Sequence, residues 1–290
     1  MKKILIPTDF SEKSMNTVKY GVQLGQSMNK AVTLVYVVDL SRYTTDYHET
    51  TGVAPFVPDL VQLKEVAETQ FKEFIPKIKK QFPEGLNLDT RLETGIFSDR
   101  IIELSNGDVY DLILLTGRTE KSFLDRLISD RNETIIEDAR CPVFIVPPSS
   151  AYTDLQNIVY ATNYNEADIG SLQRLSDLAR IFNSKITALH ISNDKSFKNK
   201  LSEKGFEEMV QEKCNYQNIN LQMRKGDDIV NTIEQVATEL KADVIGILKE
   251  NHGFWKELFS SSSTRELVLN TKLPVLVFHE KSFLKKKSTT

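Results

Sequence analysis

The sequence predicts two doubly wound α/β domains, each a five-stranded parallel sheet with helices on both faces. Three observations predict it. Short apolar strands alternate with amphipathic helical stretches along the whole chain, the signature of a parallel sheet covered on both sides. The opening KILIPTDFSEKS at 3–14 returns as NIVYATNYNEAD at 157–168. The order of elements after the first opening is repeated after the second.

Bulk properties agree. A chain of 290 residues suggests about two domains. Hydrophobic residues make up 40% and charged residues 27%, enough to bury a core. The net charge of -3 offers neither a basic field for nucleic acid nor an acidic excess typical of disorder. Cys141 and Cys214 are too few for a disulfide framework and fit a reducing compartment. No apolar run reaches the roughly 18 residues of a membrane span. The first apolar stretch is cut by Pro7 and Asp9, too short for a signal-peptide core. The expectation is a cytoplasmic protein with neither nucleic acid nor membrane as partner.

The repeat sets the domain limits. Lys3 aligns with Asn157, Thr8 with Thr162 and Glu12 with Glu166, an offset of 154 (157 − 3). The offset holds through Leu24 with Leu178, Tyr36 with His190 and Val37 with Ile191. Later it shrinks: Gly95 meets Gly226, while Asp111 meets Asp243 and Pro142 meets Pro274, both 132 apart (243 − 111). The first copy is longer by about 22 residues (154 − 132), and the excess falls in SRYTTDYHETTGVAPFVP at 41–58. That composition reads as a long loop. The domains run 1–148 and 155–280, joined through PPSSAYTD at 147–154, with a solvated basic tail at 281–290.

The elements of the first copy follow in order. KILIP is a strand. Residues 13–28 place Met15, Val18, Val22 and Leu24 or Gly25 on one helical face. AVTLVYVVD at 31–39 is the second strand. Residues 59–80 form an amphipathic helix with Leu60, Leu63, Val66, Phe71, Phe74 and Ile78 inward. LNLDTRLETG at 86–95 alternates as a third strand. A helix spans 98–107, with Ser98 as N-cap and Gly107 as stop. DLILLT at 111–116 is a continuous apolar strand, 122–138 is mostly helical, and CPVFIV at 141–146 closes the set. The second copy repeats the strands near 157–161, 185–191, 219–223, 243–248 and 274–278. PVFIV and its counterpart PVLVF are exposed edges unless they pair with each other or with a second chain.

The ordered set has a family likeness. It comprises ILIPTDFSEKS, VYVVD, a TG followed by I-x-E-L, then DLILLTGR and ARCPVFIVP, with IVYATNYNEAD, ADVIGIL and TKLPVLVFHE in the second half. The chain resembles the universal stress protein family, in a tandem form of the kind found in bacteria. The resemblance implies an adenine-nucleotide α-hydrolase-like fold with strand order 3-2-1-4-5, and a stress-response binding protein. It implies ATP or AMP with Mg²⁺ across the C-terminal ends of strands 1, 2 and 4. It also implies pairing through the last strands, here as an internal pseudo-dimer or between chains as a homodimer.

The location of that site has its own physical reason. In open parallel sheets, ligands bind beyond the strand C-termini at the switch point. Pro7, Thr8 and Asp9 end strand 1, Val38 ends strand 2, and Leu115 and Gly117 end strand 4. Asp9 either accepts hydrogen bonds from a base or ribose, or has no ligand role, with Asp9 or Ser11 simply capping the next helix. The resemblance puts a glycine pattern, G-x2-G-x9-G-S/T, after strand 4, where backbone N–H groups meet the phosphates. Here 116–133 reads TGRTEKSFLDRLISDRNE, with Gly117 as its one glycine and Ser129 and Asp130 at the final pair. Arg118, Lys121, Arg126 and Arg131 either compensate for that acid or form a solvated helix face. The degenerate second set is Ala161, Thr162 and Asn163 with Ser261 and Ser262. Tyr43, Tyr47 and His48 of the long loop are candidates to stack on a base.

Other chemistry finds little support. His48, His190, His252 and His279 lack metal-ligand spacing and read as surface or half-buried residues. No metal site and no catalytic residue is assigned. No G-x-S-x-G elbow is present, and Cys141 reads as an inert buried thiol. Trp255 beside Phe254 and Phe259 reads as an anchor of its helix. The expected function is non-enzymatic binding, with a slow ATPase or a purely structural interaction protein as alternatives. No Walker lysine motif or metal-binding acid pair favours the enzyme.

Overall fold

The computed structural model describes residues 2–39, 59–82, 87–117, 130–194, 196–249 and 273–280. Its ten strands are β1 (Lys3–Pro7), β2 (Val32–Val38), β3 (Leu88–Thr94), β4 (Tyr110–Thr116), β5 (Val143–Val146), β6 (Asn157–Ala161), β7 (Lys185–Ile191), β8 (Ile219–Arg224), β9 (Val244–Lys249) and β10 (Val275–His279). They form one sheet in the order β3-β2-β1-β4-β5-β10-β9-β6-β7-β8. Each half contributes 3-2-1-4-5, and the two halves meet head to head. Every pairing is parallel except β5 with β10, where Val275, Leu276 and Val277 lie opposite Ile145, Phe144 and Val143. The two apolar strips therefore pair with each other, as a pseudo-dimer requires. Each is also bonded to the fourth strand of its own half, so neither offers a free edge for a homodimer.

Alternation along each strand divides the core between the two faces. Ile4 and Ile6 belong to one cluster and Leu5 to the other. Tyr160 faces with Ile158, and Val159 faces the opposite way with Ala161. The first face is covered by α1 (Glu12–Ser27), α2 (Leu60–Gln81), α5 (Glu166–Phe182) and α6 (Phe197–Lys213). The second is covered by α3 (Phe97–Asn106), α4 (Asp130–Asp138) and α7 (Ile229–Glu239). Each buried Ile, Leu or Phe contributes about 1.5–3 kcal/mol by leaving water, and each cluster runs unbroken through both halves.

Several expectations need correction. Ser98 lies inside α3; Ile96 occupies the N-cap and makes no side-chain cap bond. The α2 stripe is Ala67, Phe71, Phe74 and Ile78, whereas Val66 is 57% exposed. That stripe follows an i, i+4, i+7, i+11 course, which carries Val66 away from the sheet. His190 and His279 are buried, not surface residues, with ring nitrogens bonded to the Thr162 carbonyl (2.9 Å) and the Ile136 carbonyl (2.6 Å). Cys141 is buried as expected, and burial pushes its thiol up to about 12. The 41–58 loop, Trp255 with its phenylalanines, and the 281–290 tail lie outside the described residues. No helix among the described residues is long and apolar enough to cross a membrane.

The helices of the two halves also trade volume. Gly21 of α1 sits over Ile6 and Leu114; an added Cβ would come within 2.2 Å of Ile6 Cδ1 and 2.8 Å of Leu114 Cδ2. In the second half, α5 carries Leu175 at the matching place, and the strand beneath it carries Gly246, whose added Cβ would meet Tyr160 at 3.0 Å. Small over large in one half becomes large over small in the other. The packing density of both interfaces is met by opposite choices.

Candidate functional site

The chain leaves β1 through Thr8, whose backbone N–H donates to the Val35 carbonyl at 2.9 Å. The buried Thr8 hydroxyl accepts from the Phe10 N–H (3.1 Å) and shares a 3.1 Å hydrogen bond with the Ser14 hydroxyl. Phe10 then takes a left-handed conformation (φ 62), uncommon for a bulky residue. Its ring is held by a stack on Tyr36 (5.0 Å) and edge contacts with Phe71 and Phe74 of α2. This kink leaves Asp9 exposed at the lip.

Asp9 and Ser11 divide the work at the helix start. Ser11 is the N-cap, its hydroxyl accepting from the Ser14 N–H at 3.2 Å. Asp9 Oδ1 in turn accepts from the Ser11 hydroxyl (2.6 Å) and the Ser11 N–H (3.0 Å). The acid therefore orients the cap and is not the cap itself. Burial is the largest single influence on the Asp9 carboxyl and pushes it up, but the hydrogen bonds it accepts, those from Ser11 foremost, together outweigh it. The net result holds the carboxyl below the usual range.

The remaining expected residues of the first half surround this lip. β1 lies between β2 and β4, so Pro7, Thr8, Val38, Leu115 and Gly117 gather at neighbouring strand ends, all buried. The Val38 carbonyl accepts from Gly95 N–H at 3.1 Å. Gly95 adopts φ +138, which a side chain would strain. Gly117 N–H donates to the Val146 carbonyl (2.8 Å), and the Thr116 carbonyl accepts from Asn132 Nδ2 (3.1 Å). Asp130 opens α4. Arg118 and Ser129 lie outside the described residues.

The second half copies the backbone and changes the chemistry. Thr162 N–H donates to the Leu189 carbonyl at 2.9 Å, matching Thr8. Tyr164 takes φ 58, as Phe10 does, and stacks on His190 at 4.1 Å with Phe206 of α6 beside it. Asn163 is exposed where Asp9 stands, and Ala161 is buried. Ser261 and Ser262 lie outside the described residues.

An acid is present in the second half, five residues further on and inside. Asp168 occupies the place of Ser14 and is 2% exposed. It accepts from the hydroxyls of Tyr160 (2.6 Å) and Thr162 (2.8 Å) and from the N–H groups of Asn163 (3.1 Å) and Asn165 (3.2 Å). With Asn165 it closes a capping box. Burial pushes its carboxyl up against the pull of these four donors. Sequence reading missed Asp168, although N-x-x-D at 165–168 carries the spacing of a capping box.

The two lips thus differ in what they show to solvent. The first presents a carboxylate next to buried apolar strand ends. The second presents an amide, with its acid engaged internally. Among the described residues, no group of three His, Cys, Asp or Glu side chains is placed to hold a metal ion.

Comparison with known proteins gives a consistent result. The profile of the universal stress protein family matches residues 1–147. A universal stress protein of Methanocaldococcus jannaschii is 31% identical over 147 residues, covering 50% of this chain and 81% of the relative. One from Helicobacter pylori is 26% identical over 143 residues, covering 49% of this chain and 97% of the relative. Over the full length, the crystal structure of a universal stress protein from Archaeoglobus fulgidus superposes with a TM-score of 0.69. It covers 96% of each chain at 18% identity, a likeness of fold.

Proposed function

The chain belongs to the universal stress protein family, and from that premise we propose a non-enzymatic binding protein that holds an adenine nucleotide in its first half. The observation that carries this reading is the different fate of the acid in the two halves. Asp9 stands exposed with Oδ1 committed to Ser11, whereas the second half keeps its acid buried. In this reading Asp9 accepts from the adenine amino group or a ribose hydroxyl, and Val38 and Leu115 flank the base. Thr8 shapes the turn. The phosphates and any Mg²⁺ are assigned to Gly117, just after β4, and Asp130, which opens α4, with Arg118 and Ser129 of the intervening sequence as further candidates. Ala161, Thr162 and Asn163 serve as scaffold together with Ser261 and Ser262. Two free cysteines support a reducing, cytoplasmic setting.

Titration calorimetry with ATP and with AMP, each with and without Mg²⁺, tests it. Binding is expected in one site per chain. Asp9→Asn is expected to weaken it by about tenfold, in line with a hydrogen bond to a charged group, and Asn163→Asp to leave it unchanged. Absence of heat at millimolar nucleotide would overturn the nucleotide assignment. Phosphate release above a boiled control, abolished in Asp9→Asn, would replace binding with slow hydrolysis.

A further inference from the structure

One helix of the second half turns an apolar pair outward. α6 joins β7 to β8, the outermost strand of the sheet, at the far end from the β5–β10 seam. Its Phe206 and Val210 are buried in the core. At about 100° per residue, the opposite stripe runs through Phe197, Leu201, Gly205, Glu208 and Glu212, with Lys204 beside it. Phe197 is 81% exposed and Leu201 60%. Scattered exposed apolar residues are ordinary. These two stand one turn apart on a single stripe, and the rest of that stripe is complementary to itself.

Gly205 lies one further turn along. Glycine inside a helix is destabilising relative to alanine, and in α1 close packing accounts for it: a Cβ added at Gly21 or Gly25 would come within 2.8 Å of a neighbour. At Gly205 the added atom would meet nothing within 4 Å. The chain's own packing gives no reason for the missing side chain, which leaves a notch on the outer surface of α6. Charge is segregated about this notch. Lys200 and Lys204 precede it, Glu208 and Glu212 follow it, and all four are exposed. None of them is in an ion pair among the described residues. Lys200 in the first turn and Glu212 in the last run against the dipole of their own helix; an antiparallel neighbour offers each the opposite end.

We propose that α6 is a self-association face, on which a second copy of this chain docks its own α6 antiparallel, with the twofold axis at the level of Gly205. A twofold repeats every contact, so one stripe supplies both sides of the interface. In this register Leu201 enters the hole bounded by Gly205, Glu208 and Glu212 of the partner subunit, where the absent side chain makes room. Lys204 stands about 3 Å along the axis from level with Glu208 of the partner subunit, within reach of an ion pair. A contact through one helix from each copy is small, below about 1,200 Å². The dimer is therefore expected to be reversible, with a dissociation constant on the order of 10–100 µM. The stripe belongs to the second half, apart from the lip that holds Asp9, so the nucleotide reading and this one stand or fall separately.

Sedimentation equilibrium of the full chain, up to about 0.5 mM, tests it. The mean mass should rise from 33.0 kDa toward twice that value, and less so at high salt. Leu201→Glu should weaken association about tenfold or more. K204E and E208K should each do the same, because each sets like charges against each other across the twofold. All three positions are exposed, and circular dichroism confirms that the variants are folded. An equal mixture of the K204E and E208K chains should regain dimer mass at least to the wild-type level, since each then meets its opposite charge. Adding Leu201→Glu to both chains should abolish that recovery. The proposal is overturned by a wild-type chain that keeps the single-chain mass at about 0.5 mM, by a dimer indifferent to the three variants, or by a mixture no more associated than its components. Binding to anionic phospholipid vesicles without self-association, lost in Leu201→Glu, would also overturn it and assign the stripe to a lipid surface.

Discussion

Tyr160 donates a 2.6 Å hydrogen bond to Asp168 where both residues are all but excluded from solvent. Thr162 and two backbone N–H groups converge on the same carboxylate. Removing it orphans several donors at once. Asp168→Ala should therefore destabilise the protein by about 3–5 kcal/mol, and Asp168→Asn by less, because the amide oxygen still accepts. Urea denaturation measures both. A loss under about 1 kcal/mol for Asp168→Ala would show that the cluster is not structural.

Gly21 and Leu114 should be coupled. Gly21→Leu alone forces a side chain into Ile6 and Leu114 and should cost about 3 kcal/mol or more. Adding Leu114→Gly reproduces the arrangement of Leu175 over Gly246 and should recover at least about 1 kcal/mol of that loss. A double-mutant cycle reads the coupling, and strictly additive losses would refute the exchange of volumes.

Tyr164→Phe should leave stability unchanged or raise it by up to about 1 kcal/mol. The Tyr164 hydroxyl is buried without a hydrogen-bond partner among the described residues, and burial pushes it up to about 12. The first half uses a phenylalanine, Phe10, at the same left-handed position. A lower thermal midpoint for Tyr164→Phe would reveal a partner that the hydroxyl serves.

Glu93 should shape the acid limb of the stability curve. Its buried carboxylate accepts from Arg100 at 2.8 Å and pairs with Arg91. Burial pushes this carboxyl up, but Arg100 and Arg91 together hold it below the ordinary range. A depressed folded value stabilises the native state above the unfolded value of about 4.3. That contribution disappears as pH falls through the folded value. Glu93→Gln should cost about 1–2 kcal/mol at pH 7, since both arginines remain partly exposed. The difference from wild type should shrink toward pH 3. Parallel urea midpoints across that range would contradict it.

The sequence carried the fold further than the site. KILIP, NIVYA and the twin apolar strips are short, continuous and bounded by turns, so their identity as buried parallel strands needs no tertiary knowledge. The cost of two open apolar edges required that they pair with each other or with a second chain, and the sheet pairs them with each other. Asp168 was hidden because an acid in the first turn reads as an ordinary helix start, and its partner Tyr160 lies on another element. The linker was read from its polar, proline-rich composition, which conceals that Tyr152 anchors it on α1. The residues expected around the phosphates, from Arg118 to Ser129, fall outside the described residues.

The antiparallel seam between β5 and β10 sets a timetable for synthesis. When Val146 leaves the ribosome, all five strands of the first half have been made, yet the outer edge of β5 has no partner. That partner, Val275–His279, is made about 130 residues later, roughly 7–26 s at ordinary elongation rates. For that interval the nascent first half carries a sticky edge of the kind that recruits foreign strands.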